Sequence, residues 1–109
     1  MENMEFMKLT DAEELAMCCV WEIGGDVTLV QVIETITQKT HSEWKRQTVS
    51  TLLLHLVDKG YLHLYRTGKT FYYKILKEKE DYKKNIIKNF IDFWYDGDKE
   101  KFIEELRQG

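Results

Sequence analysis

The sequence predicts a mostly α-helical protein with one small β-hairpin, which places it in the α+β class. Apolar residues recur at spacings of three and four in five separate segments, as on one face of an amphipathic helix. Between residues 61 and 76 the period changes to two around a central glycine, as in two paired strands. The chain has 109 residues, 43% of them hydrophobic, and no proline. This composition suits one small domain, residues 1–77, followed by a helical segment, residues 78–109.

The first two helices are predicted from their caps. Thr10, followed three residues later by Glu13, forms a capping-box pattern, so we expect a helix from about Asp11 to Ile23. A glycine pair ends this helix, and a short β-branched stretch leaves room for one small strand. Thr28 can then cap a second helix, from Leu29 to about Lys39.

The third predicted helix, within residues 44–60, has two unlike faces, and Ser42 is its expected cap. One face is apolar and consists of Val49, Leu52, Leu53, Leu56 and Val57. The other carries short or cationic hydrogen-bonding side chains: Lys45, Arg46, Gln47, Thr48, Ser50, Thr51 and His55. A helix with donors near its N-terminus and an apolar back suits the major groove of DNA, where its first turn can meet base edges and phosphates.

A β-hairpin with a basic tip follows the third helix. Residues 61–66 and 70–76 alternate between apolar and polar, and the turn between them contains Gly68. Three helices followed by such a hairpin predict a winged helix-turn-helix, in which the hairpin is the wing. We expect Arg66 and Lys69 to contact phosphate beside the third helix.

The charge distribution supports a local nucleic-acid surface in an otherwise acidic chain. Residues 44–74 contain six Lys or Arg against one Asp, a charge of +5. The rest of the chain contains ten Lys or Arg against eighteen Asp or Glu, a charge of −8, which gives the net charge of −3. A basic segment of this kind is the electrostatic signature expected of a nucleic-acid interface.

Two further helices are predicted after the hairpin, from about Asp81 to Tyr95 and from about Lys99 to Arg107. Their large apolar residues are Ile86, Ile87, Phe90, Ile91, Phe93, Trp94, Phe102, Ile103 and Leu106. We predict that these residues form a homodimer interface, because a two-fold dimer also spaces two recognition helices along DNA. The alternatives are that they fold back on their own domain, or that Phe90 and Trp94 line a ligand-sensing pocket.

The sequence contains no motif typical of an enzyme, so we expect no catalytic site and no cofactor. His41, His55 and His63 have no metal-site spacing, and we expect no metal. Cys18 and Cys19 are adjacent on a helix, where they suit neither a chelate nor a disulfide, and we expect both thiols to be buried. No segment is apolar enough to span a membrane, so we expect a soluble cytoplasmic protein.

Taken in order, these residues resemble the penicillinase-repressor family, the BlaI/MecI/CopY group of bacterial winged-helix regulators. The resemblance covers nearly the whole chain. It rests on Leu9-Thr10-Asp11-Ala12-Glu13, Met17 and Trp21, Thr48-Val49, Thr51-Leu52-Leu53, Leu56-Val57, Lys59-Gly60-Tyr61-Leu62, Gly68 and Phe71-Tyr72-Tyr73. The resemblance implies a homodimer that binds a palindromic operator, represses transcription of β-lactam resistance or copper-handling genes, and is released by an upstream sensor or protease.

The chain departs from the family pattern in three places. Leu54-His55 stands where the family often has a polar residue followed by Arg, which removes one expected DNA contact. The chain also ends soon after the fifth helix, short of the family's usual extent. Finally, no cysteine follows Cys19, which argues against copper sensing through a C-terminal cysteine cluster.

We therefore predict a sequence-specific DNA-binding repressor that acts as a homodimer on double-stranded operator DNA. The alternative is a winged-helix module that binds another protein and not DNA, since winged helices also serve in protein interactions. Salt-dependent DNA binding distinguishes the two.

Overall fold

The computed structural model describes residues 6–109, which divide into two units between Glu78 and Lys79. The elements are α1 (Asp11–Ile23), α2 (Leu29–Thr40), α3 (Arg46–Asp58), β1 (Leu62–Thr67), β2 (Thr70–Ile75), α4 (Lys79–Trp94) and α5 (Lys99–Gln108). Their order and type confirm the predicted fold class. The charged stretch before the fourth helix is partly helical, since α4 begins two residues earlier than expected.

Two capping boxes start α1 and α2. The Glu13 amide donates to Thr10 Oγ1 at 3.1 Å, and the Thr10 amide donates to Glu13 Oε1 at 3.0 Å. The same reciprocal pair joins Thr28 and Gln31, at 3.3 and 2.8 Å. Each box supplies hydrogen-bond acceptors for first-turn amides that have no partner within the helix. The N-termini of α1 and α2 are therefore predictable from residues that are close together in the sequence.

The predicted cap of the third helix, Ser42, is wrong. The helix begins at Arg46, and Lys45 occupies the N-cap position without a capping side chain. Ser42 instead lies in the turn that ends α2, where its hydroxyl is 3.2 Å from Thr40 Oγ1. The turn forms because His41 adopts the left-handed conformation, with φ of 57°, and residues 43–45 then lead without regular secondary structure to the start of α3.

The core of the first unit lies between α1, α2, α3 and the hairpin. Its fully or almost fully buried side chains are Ala16, Met17, Cys19, Val20, Val27, Val32, Ile36, Val49, Leu53, Leu56, Tyr61 and Leu62. The predicted apolar face of the third helix is therefore largely correct, although Leu52 and Val57 are only half-buried. Burying large aliphatic side chains at about 1.5–3 kcal/mol each supplies the main favourable term for this fold.

The hairpin is anchored to the segment between α1 and α2. Val27 forms a one-residue antiparallel bridge with Tyr73, with N···O distances of 3.1 and 2.8 Å. The Tyr65 hydroxyl donates to the Asp26 carboxylate, and the Tyr65 ring stacks on Tyr72 at 5.6 Å between centroids. The small strand expected before α2 is thus this single bridge, and it fixes where the wing emerges.

The prediction that both cysteines are buried is wrong for Cys18, which is exposed, whereas Cys19 is fully buried. The two side chains point about 100° apart on α1. Cys19 shares the buried face with Ala16, Met17 and Val20, and Cys18 lies outside it. Burial raises the pKa of the Cys19 thiol to about 11, which suppresses the reactive thiolate.

We expect one thiol to react rapidly in the native protein and both to react after unfolding. A titration with a chromogenic disulfide reagent, with and without denaturant, measures this. A Cys18→Ser variant should lose the rapid phase, and rapid reaction of two thiols in the native wild-type protein would contradict the burial of Cys19.

The second unit consists of α4 and α5. Asp96 and Gly97 have positive φ angles of 52° and 79°, and Asp98 caps α5 by accepting from the amides of Glu100 and Lys101. Aromatic contacts join the two helices: Phe102 lies 5.8 Å from Phe90 and 5.3 Å from Tyr95, between ring centroids. The unit therefore has a small aromatic cluster of its own.

Most of the residues predicted for a dimer interface are exposed in the single chain. Ile86, Ile87, Phe90, Phe93, Trp94 and Leu106 are 42–75% exposed, with Phe93 at 75% and Trp94 at 65%. Ile91, Phe102 and Ile103 are half-buried. An apolar surface of this kind typically marks an interaction site.

Candidate nucleic-acid interface

The outward face of α3 lies opposite three buried side chains, Val49, Leu53 and Leu56. Successive residues of a helix are about 100° apart, which defines the opposite side. The residues there are Gln47, Thr51, Leu54 and Asp58, and all four are exposed. Arg46 and Ser50 flank this face on one side, and Thr48 and His55 flank it on the other.

The N-terminal end of α3 is open to an anionic partner. No side chain of the described residues caps this helix, whereas α1 and α2 are both capped. Lys45, Arg46, Gln47 and Thr48 are all exposed there. The first-turn amides, the helix dipole and two cations therefore all favour negative charge at this end.

The wing ends in a tight turn that exposes two cations. Thr67 pairs with Thr70, so Gly68 and Lys69 form the connection, and Gly68 has φ of 62°, which glycine adopts without strain. The guanidinium of Arg66 lies over the Phe71 ring on the neighbouring strand, 5.8 Å from its centroid. This contact holds the Arg66 guanidinium against the hairpin, and Lys69 is exposed at the tip.

A cleft of about 460 Å³ separates α3 from the wing. Its lining includes Arg46, Ser50 and Leu54 from α3, Leu64, Lys69, Thr70, Phe71 and Tyr73 from the hairpin, and Thr28, Leu29 and Val30 from the start of α2. The structure thus brings together Arg46, Ser50 and Lys69, which are up to 23 positions apart in the sequence. Most of the lining residues are apolar, and α3 and the wing each contribute one cation.

A buried carboxylate joins the start of α1 to the end of α3. The Glu13 side chain is 5% exposed, and Lys59 Nζ donates to its Oε1 at 2.6 Å. Lys59 also donates to the Lys8 carbonyl oxygen at 2.8 Å. His55 Nδ1 lies 3.2 Å from Glu13 Oε2, so this predicted DNA contact is engaged within the protein.

The ionised form of Glu13 is the stable one. Burial by itself would raise the pKa of this carboxyl, but hydrogen bonds from Lys59, Thr10 and His55 and the charge of Lys59 outweigh it and hold the pKa below its ordinary value of 4.5. From the sequence pattern, only a capping role is predicted for Glu13. Its pairing with Lys59, 46 positions away, could not be read from local pattern.

The remaining predicted DNA-contact residues are exposed on α3 and on the wing. Gln47 and Thr51 are on the outward face of α3, and Arg66 is exposed on the wing. Three exposed apolar residues also belong to this surface: Val30, Leu54 and Phe71, at 48%, 47% and 53%. The sequence alone does not explain the exposed Leu54, and it does not identify Val30 and Phe71 as residues of the candidate site.

Within residues 6–109 no acidic, cysteine or histidine cluster is suited to a metal ion, and no helix is long and apolar enough to cross a membrane.

Three helices, a two-stranded wing and an outward-facing third helix define a winged helix-turn-helix protein. The family model for penicillinase repressors matches residues 9–109. The chain therefore belongs to the penicillinase repressor family.

Two curated relatives have similar sequences. The penicillinase repressor of Bacillus licheniformis is 28% identical over 90 residues, which cover 83% of this chain and 68% of the relative. The methicillin resistance regulatory protein MecI of Staphylococcus aureus strain N315 is 30% identical over 97 residues, which cover 89% of this chain and 76% of the relative.

Two solved structures are similar in fold. The solution structure of the DNA-binding domain of the repressor BlaI matches with a TM-score of 0.59 and 27% identity, over 72% of this chain and 92% of that one. The monomeric form of Bacillus licheniformis BlaI, solved in complex with the blaP half-operator, matches with a TM-score of 0.57 and 31% identity over the same shares.

Proposed function

We propose that this protein is a transcriptional repressor that binds a palindromic operator as a homodimer. Residues 1–77 bind DNA, and residues 78–109 dimerise. The observation that carries the proposal is the cleft between α3 and the wing, which is lined by Arg46 from the exposed recognition helix and by Lys69 from the wing. A related repressor was solved on a half-operator, which supports double-stranded DNA as the partner.

The proposed roles follow from position and donor chemistry. Gln47 reads adenine and Arg46 reads guanine, because an amide and a guanidinium match the major-groove edges of these bases. Lys45, Thr48, Ser50 and Thr51 contribute further contacts along α3. Arg66 and Lys69 bind phosphate from the wing. His55 contributes through its second nitrogen, because Glu13 engages the first.

Phosphate contacts give this proposal a measurable electrostatic signature. Each phosphate neutralised by a cation releases a condensed counterion, so log affinity falls linearly with log salt concentration. The net charge of −3 does not oppose this binding, because the cations of the site are local and the acidic residues lie mostly elsewhere. The repressor acts in the cytoplasm, and an upstream sensor or protease releases it from the operator.

The experiment that tests the function is DNA binding against salt on the promoter region of the protein's own gene. Mass in solution is recorded alongside. Saturable binding of a dimer to a palindrome, with a steep salt dependence, supports the proposal. Weak binding that ignores sequence, or no binding at all, contradicts it and favours a module that binds protein.

The division of roles between α3 and the wing predicts two kinds of mutant. Gln47→Ala should weaken operator binding by about 1–3 kcal/mol and relax the preference at one base pair. Lys69→Ala should weaken binding to all sequences alike and reduce the salt slope by about one. Competition assays on operator variants, repeated at several salt concentrations, measure both effects.

Lys101→Ala is the matched control for these variants, because Lys101 is exposed on α5, outside the first unit. It should leave affinity and salt slope unchanged. A loss that is uniform across sequences for both Gln47→Ala and Lys69→Ala would refute the separation of base reading from phosphate binding.

A further inference from the structure

Leu54 is an apolar side chain in the middle of the outward face of α3. It is 47% exposed, while the aliphatic residues of the opposite face, Val49, Leu53 and Leu56, are fully buried. Its neighbours along the outward face are polar: Thr51 lies one turn before it and Asp58 one turn after. Core packing therefore does not account for a leucine at this position. Exposing its apolar side chain to water is also unfavourable.

The surroundings of Leu54 limit what it can contact. It shares the cleft lining with Val30 and Phe71, which are also about half exposed, and with the cations Arg46 and Lys69. A mostly apolar cleft with one cation from α3 and one from the wing complements a partner that carries negative charge at its edges and an apolar group between them. DNA has this arrangement, since phosphates border a major groove in which the thymine C5-methyl is the apolar group on a base edge.

We propose that Leu54 contacts the C5-methyl group of a thymine in the operator, which makes it a specificity-determining residue. This inference rests on the proposed function and adds a base preference to it. Leucine has no donor or acceptor, so it cannot discriminate bases by hydrogen bonds and acts only through apolar contact. Val30 and Phe71 extend the apolar surface beside this contact.

Deoxyuridine differs from thymidine only by the missing C5-methyl group, so the proposal can be tested one methyl group at a time. Each thymine of the operator is replaced in turn by deoxyuridine, and affinity is measured at fixed salt for the wild type and for Leu54→Ala. The wild type should lose about threefold to tenfold at one or two thymines in each half-site. Leu54→Ala should bind the thymine and deoxyuridine forms of those sites equally.

Leu76→Ala is the matched control, since Leu76 is 52% exposed and is absent from the cleft lining. It should keep the wild-type response to deoxyuridine. If the wild type tolerates deoxyuridine at every position, or if Leu54→Ala keeps the full methyl dependence, the inference is overturned while operator binding stands. If the wild type does not bind the unmodified palindrome, the proposed function fails, and the inference fails with it.

Discussion

Replacing both Phe93 and Trp94 by serine is expected to convert the protein from a dimer to a monomer and to weaken binding to a palindrome about 100-fold. These two side chains are 75% and 65% exposed, and their rings contact each other at 4.9 Å between centroids. Burying a large apolar side chain contributes about 1.5–3 kcal/mol, and a two-fold interface buries each residue twice. Losing both should therefore remove much of the free energy that stabilises the proposed dimer.

The expected loss of affinity for the palindrome follows from the linkage between its two half-sites. In a dimer the second α3 reaches its half-site at a high effective concentration, and this advantage disappears when the chains separate. Affinity for an isolated half-site should therefore stay the same in the variant. Sedimentation equilibrium gives the mass, and titrations on whole and half operators give the two affinities.

Lys84→Ser is the control for this pair, because it places serine at another exposed position of α4. It should leave both mass and palindrome affinity unchanged. A double variant that remains dimeric would exclude Phe93 and Trp94 from the interface. A variant that is monomeric yet binds the palindrome as well as the wild type would show that dimerisation does not supply operator affinity.

Replacing Glu13 by alanine is expected to lower the free energy of unfolding by about 2–4 kcal/mol. The change removes half of the capping box of α1 and leaves Lys59 without its carboxylate. The Lys59 side chain is only 23% exposed, so its charge loses a partner where water compensates poorly. Chemical denaturation followed by circular dichroism measures the loss.

Glu22→Ala is the matched control on the same helix. Glu22 also pairs with a lysine, Lys39, at 2.7 Å, but its side chain is 59% exposed and that of Lys39 is 41% exposed. Water screens this pair, so the loss of stability should be much smaller. Equal losses from the two variants would contradict a special role for the buried carboxylate.

The same carboxylate gives stability a predictable pH dependence. The pKa of Glu13 is lower in the folded protein than its ordinary value of 4.5, so folding favours the ionised form. Its contribution is fully present above about pH 4.5 and is lost as the pH falls through the folded-state value. A Glu13→Gln variant should therefore show a smaller decline of stability with acid over this range.

The contacts of Glu13 with Lys59 and His55 also fix the C-terminal half of α3, the helix that we propose to read DNA. Lys59 follows the last residue of α3, and His55 lies one turn before it. Both contact Glu13 on α1. The outward face of α3 therefore keeps one orientation relative to α1, as a pre-organised binding surface requires.

The sequence by itself determined the elements of this fold, because their signals are local. Reciprocal caps at Thr10 and Thr28 set two helix starts, and a change of period from 3.6 to two marked the hairpin. Local signals failed at Ser42 and Cys18. Ser42 does not cap α3, because the left-handed conformation of His41 places the Ser42 hydroxyl in the turn that ends α2. For the two cysteines, the orientation of α1 against its neighbours decides which thiol is buried.

Only the tertiary structure decided how the candidate site is assembled. Arg46 and Lys69 could each be chosen as basic residues from sequence, but their position on either side of one cleft depends on how the wing is anchored through Val27 and Tyr73. The pairing of Glu13 with Lys59 and the exposure of Leu54 likewise depend on the placement of whole helices. Sequence pattern records periodicity along one element, whereas contacts between distant residues are fixed only when those elements pack together.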